Sequence, residues 1–174
     1  MTYAFYLASI IAIAATARVI TAVHAVHALL YLVISLLAVA VMFLILGAPF
    51  AAALEVIIYA GAVMVLFVFV VMMLSPGPRA AIEERQWLSP GIWAGPAILS
   101  AILLAELAWI LAGEEVRFAA TGQVPPKEVG AALFGPYLLA VEMASVLLLA
   151  GLVGAYHLAR RLPGAGRNEE GDEP

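Results

Sequence analysis

Long apolar runs separated by short polar joints set the pattern of this chain. A helix needs about 20 mainly apolar residues to cross a bilayer, and five runs approach that length. They extend from about Tyr3 to Val19, from about Ala28 to Leu46, from about Ala52 to Leu74, over 91–112 and over 136–158. The pattern predicts an all-α integral membrane fold of five transmembrane helices, one domain over 1–162. The remaining 163–174 are Gly-rich and acidic, too polar to bury, and are expected to be disordered.

The joints carry their own signals. Gly47-Ala48-Pro49 stops the second run, because proline lacks the N–H for the helical ladder and biases its predecessor away from α geometry. Ser75-Pro76-Gly77-Pro78 ends the third, and the charged stretch from Arg79 to Trp87 suits a short surface helix. The first run has no positive flank and continues past any small-residue cleavage site, so it reads as a retained helix rather than a signal peptide. Glu114 to about Gly135 is the longest connection, with Glu114, Glu115, Arg117, Pro125, Pro126, Lys127 and Glu128.

Composition narrows the function classes. Of the 174 residues, 66% are hydrophobic and 11% charged, against about 25% charged in a soluble domain, which excludes a water-soluble fold. Without cysteine there are no disulfides, thiolate metal sites or cysteine-held clusters, and three scattered histidines give no metal cage. No basic patch with interleaved aromatics grips phosphate, so nucleic acid is not an expected partner. Phosphate-cradling loops, nucleophile elbows and HExxH motifs are missing too, so no catalytic centre of its own is expected.

Charge at the ends of the runs gives orientation. Arg18, Arg79, Arg85, Arg160, Arg161 and Arg167 fall on one side, Arg117 and Lys127 on the other. Short basic loops stay cytoplasmic, which puts the N-terminus outside and the C-terminus inside. Trp87, Trp93 and Trp109 fit either interfacial belts or packing.

Three carboxylates fall within the apolar runs: Glu55, Glu106 and Glu142. A charge at the bilayer centre costs on the order of 3 kcal/mol, so each should face protein or water, or be protonated. Glu106, near the end of its run, is expected to reach the interface. Glu142, near Ser145, suits either helix–helix hydrogen bonding or proton transfer. Glu55 suits a helix terminus; Tyr59, four residues on, shares its face and with it could support a water chain. Between Tyr59 and the bulky block beyond, Ala60-Gly61-Ala62 is either a packing notch or a π-bulge, in which one extra residue enters the turn. Ala140, Ala144, Gly151 and Gly154 repeat the small-residue theme in the fifth run. His24, His27 and His157 read as interfacial and solvated, without chemistry.

Several passages carry a family resemblance. They are Val26-His27-Ala28-Leu29-Leu30-Tyr31-Leu32, the continuous stretch from Leu54 to Leu74, Glu84-Arg85-Gln86-Trp87-Leu88, and Leu133-Phe134-Gly135-Pro136-Tyr137 leading to Glu142. In these the sequence resembles chain J of bacterial proton-pumping NADH:quinone oxidoreductase (respiratory complex I), the counterpart of mitochondrial subunit 6. The resemblance implies a non-redox subunit of the membrane arm in the bacterial inner membrane, binding no cofactor itself. NADH, FMN, iron–sulfur clusters and quinone would belong to other chains. Its neighbours would be the quinone-site chain, small helical chains and antiporter-like chains, together with the lipid bilayer. It further implies a π-bulge at about Tyr59 to Val65 that converts to plain α-helix. The switch would comprise Ala60, Gly61, Ala62, Val63, Met64, Val65 and Phe67; its conversion would rotate the downstream residues, including Met64, Val65 and Phe67, and make or break a water wire for protons, with Glu55 and Tyr59 on the path. One departure is His24-Ala25, where relatives often carry Asn-Pro. A passive assembly scaffold and a self-sufficient small ion channel or transporter are the alternatives; the second would want an inverted repeat around a midplane site, and none is visible.

Overall fold

The computed structural model of the chain describes residues 2–22, 25–73, 90–112 and 124–160. They form two compact units, Met1–Pro125 and Pro126–Pro174. Five of the helices are long and apolar enough to cross a membrane, and among the described residues there is no strand. In a bilayer helices satisfy every backbone group within the segment, which is why such apolar runs take this form.

In the first unit α1 (Thr2–Thr21) and α2 (Ala25–Ile45) make the main packing pair. Ala8, Ile11, Ala12 and Ala15 are buried along one stripe of α1, facing Tyr31, Ile34, Ala38 and Val41 of α2. Alanines at this spacing let the two backbones approach closely, the usual source of association between membrane helices. Polar contacts fix the register. Ser9 Oγ donates to the Phe5 carbonyl at 2.7 Å and lies 3.1 Å from Met42 Sδ. Ser35 Oγ donates to the Ala12 carbonyl at 3.3 Å and stands 2.8 Å from Thr16 Oγ1, so Thr16 is then the donor of that pair. Positions 9 with 42 and 16 with 35 make the helices antiparallel. At the far end the Arg18 guanidinium lies 5.6 Å from the centre of the Tyr31 ring, a cation–π contact that keeps the charge over an aromatic face.

The turn after α2 follows from its sequence. Gly47 has φ 79°, a left-handed conformation that glycine adopts without a Cβ penalty. The Ala48 amide bonds back to the Phe43 carbonyl at 2.9 Å and the Gly47 amide to the Leu44 carbonyl at 3.2 Å. These two bonds close a Schellman motif and satisfy carbonyls the helix end leaves open. Pro49 then opens α3 (Pro49–Leu54) at the position where a missing N–H costs nothing. This span continues through a π segment, Glu55–Val63, into α4 (Met64–Met73). Helix α5 (Pro90–Ala112) packs on α2 and α1, and its Gly95 lies against the Tyr31 hydroxyl.

The second unit holds α6 (Pro126–Leu133) and α7 (Leu138–Arg160), joined by a turn over 134–137. The long connection thus contains a helix that the hydrophobic pattern did not predict. Its signals were Pro126 at the start and Glu128 in the first turn, both favourable at a helix N-terminus. Helix α7 has no buried residue, and a Cβ at Gly151 or Gly154 would meet nothing within 4 Å. Two other expectations shift. Helix α2 begins at Ala25, which moves His27 from the joint into the helix, where it is buried rather than solvated. His24, Trp87, the 79–87 stretch and the acidic tail lie outside the described residues.

Candidate functional site

The third span is regular as far as Glu55, whose amide still bonds back to the Ala51 and Ala52 carbonyls. At the other end the Met64 amide reaches the Tyr59 carbonyl five residues back, the bond that defines π winding. Between them the nine residues Glu55–Val63 take the wider turn. The π winding therefore begins four residues before the stretch expected from the resemblance and ends at Val63 rather than Val65. Of the two readings of Ala60-Gly61-Ala62, the structure takes the π turn.

Gly61 lies within the wide turn. A Cβ at this position would lie 3.1 Å from the Val56 carbonyl oxygen, on the preceding π turn. Such a contact is closer than ordinary packing, so the glycine makes room for the π winding and a β-branched side chain would work against it. Ala60 and Ala62 keep the neighbouring positions small.

The structure brings Glu55 and Tyr59 into the same π segment but joins them by no side-chain hydrogen bond among the described residues. Glu55 is half-buried and Tyr59 is 54% exposed. No residue of the segment is buried, and Val65 and Phe67 beyond it are exposed as well. Met64 is the exception, at 3% exposure. Turning α4 about its axis would therefore exchange one buried methionine for a neighbouring side chain. Beside the segment, Val56 and Ile57 join Leu37, Val41, Leu103 and Leu107 around an apolar groove of about 620 Å³.

Glu142 lies on α7 in the second unit with its side chain exposed, and Ser145 Oγ donates 2.8 Å to its backbone carbonyl rather than to its carboxylate. Glu106 departs most from expectation. Instead of reaching the interface, it is 7% exposed, and neither carboxyl oxygen has a hydrogen-bond partner among the described residues. An unsatisfied buried polar group costs about 1–3 kcal/mol, and more when charged. Nothing in the sequence distinguished this acid from one at a span end, because α5 is apolar on all sides and has no stripe to mark its inner face.

Among the described residues no group of three or more acidic or histidine side chains could hold a metal ion. The architecture is that of a multi-pass helical membrane protein whose distinguishing element is one span wound in two ways. The sequence profile described as NADH-ubiquinone/plastoquinone oxidoreductase chain 6 matches residues 15–158. The chain belongs to that family. It is 59% identical over 163 residues to NADH-quinone oxidoreductase subunit J of Pseudomonas aeruginosa, covering 92% of this chain and 98% of the relative. It is similar to the subunit J of Escherichia coli strain K12, at 58% identity over 160 residues, 92% of this chain and 87% of the relative. The subunit J of Buchnera aphidicola from Schizaphis graminum is 46% identical over 160 residues, 92% and 98% of the two chains.

Proposed function

We propose that this chain is a membrane subunit of a proton-translocating NADH:quinone oxidoreductase and that its π segment is a switch. In one state Glu55–Val63 is wound as seen here; in the other the extra residue is expelled and the span is plain α-helix. Losing one residue from a turn rotates everything beyond it by about 100°. Met64, Val65 and Phe67 then change which faces they present, opening or closing a path for water that includes Glu55 and Tyr59. Redox chemistry, with its NADH, flavin, clusters and quinone, belongs to other chains, and this one binds none of them. Its partners on this reading are the quinone-site chain, small helical chains and antiporter-like chains, in an inner membrane with the N-terminus outside.

The observation that carries the reading is the π run in the third span, with Gly61 at the point where a side chain would crowd it. A register change couples to quinone chemistry only if that chemistry favours one state by as much as the two differ, a few kcal/mol. The test is Gly61→Val in the assembled complex. Subunit assembly stays intact, while proton pumping and coupled quinone reduction fall several-fold. Normal pumping in an assembled mutant would leave the chain a passive scaffold.

A further inference from the structure

The register switch leaves Glu106 unused, and its surroundings define it. Leu103 lies three residues before it and Ile110 four after, so all three share one face of α5. Both leucine and isoleucine belong to the buried cluster with Ala8, Ile11, Ala12 and Ala15 of α1 and Ile34, Ala38 and Val41 of α2. The carboxyl is thus enclosed by three helices of its own chain, in an apolar niche.

Among the described residues no opposite charge answers it there. Helix α1 offers only Tyr3, Tyr6 and Arg18 as titratable groups; the tyrosines are exposed, and Arg18 is stacked on Tyr31. Helix α2 offers only His27 and Tyr31. Tyr31 meets α5 at Gly95, eleven residues before Glu106 and so about 16 Å along the helix; His27 lies one turn further. The span that faces α5 across the apolar groove adds Glu55 and Tyr59, and Glu55 has the same sign of charge. An anion in this niche would be desolvated, with no more than the Ala8 backbone to offset its charge, whereas a carboxylic acid is neutral and both donates and accepts hydrogen bonds. The nearer end of α5, at Ala112, is six residues away, about 9 Å along the helix.

We propose that Glu106 is a proton-binding site of this chain, independent of the π segment: a carboxylic acid that holds its proton between α1, α2 and α5 and exchanges it with water entering from the near end of the bundle. Its ligand is the proton, delivered by water, and the niche supplies selectivity by excluding larger cations.

The test is infrared spectroscopy of the full chain in lipid nanodiscs, with glutamate carboxyls labelled by carbon-13, in H₂O and D₂O at pH 7. The parent is expected to give a labelled carbonyl band of a protonated acid that shifts down in D₂O and is lost in Glu106→Gln. Glu106→Asp keeps an exchanging acid but moves its band out of the labelled set, a check that does not depend on the glutamine variant folding. A carboxylate band in place of the carbonyl band in the parent-minus-variant difference, or a carbonyl band unmoved in D₂O, would overturn the proposal.

Discussion

Gly95 and the Tyr31 hydroxyl are so close that a Cβ on the glycine would overlap the oxygen, while the ring carbon behind it would stay at 3.3 Å. Gly95→Ala should therefore destabilise the α2–α5 contact by about 1–3 kcal/mol, the usual cost of overpacking. Thermal unfolding of the purified protein reads this loss. Adding Tyr31→Phe removes the offending oxygen and should restore most of it, a recovery that general weakening of α5 would not produce. Glu55 calls for a smaller expectation. It is half-buried, near the start of its span, without a side-chain hydrogen bond among the described residues, and solvent can substitute for it; Glu55→Gln should lower pumping by less than half in the assembled complex. The residue scale is also where the sequence was least legible. Glu55 and Tyr59 could be paired by spacing, but the burial of Glu106 depends on which face of a uniformly apolar helix turns inward. Only the packing of α1 and α2 decides that.

Elements were legible where their signals are backbone chemistry. Gly47, Ala48 and Pro49 form the turn that their sequence implies, because only glycine takes the left-handed position freely and proline fits the first helical turn. Gly47→Ala would force a Cβ into that conformation at about 1–2 kcal/mol, visible as a lowered melting temperature, and Gly47→Asn should lose less. The π winding lies at the limit of what composition can tell. A glycine between alanines suits a close helix contact as well as a wide turn, and the choice rests on hydrogen bonds five residues apart that no single residue type encodes. Family resemblance narrowed that choice and placed the turn a few residues too late. Helix α6 was missed for the opposite reason: it is short and polar, so the hydrophobic pattern was silent while its proline and acidic start were informative.

At the scale of the whole molecule, apolar run length was sufficient to find the five spans, since each helix ends within a few residues of its expected boundary. Burial within the chain was not readable from such runs, because lipid and neighbouring protein demand the same side chains. The direction of insertion rests on arginine placement and can be tested cleanly, as the chain has no cysteine of its own. In spheroplasts, Thr121→Cys should react with a membrane-impermeant maleimide directly, and Ala80→Cys only after permeabilisation; the reverse pattern would invert the topology.

The hydrogen-bonded turn at Gly47 has a mechanical consequence. It anchors the third span to α2 at one end like the fixed head of a screw, so any rewinding of the span delivers its torque away from the anchor. Displacement would build up toward Met73, and a spin label there should report motion that one at Ala51 does not.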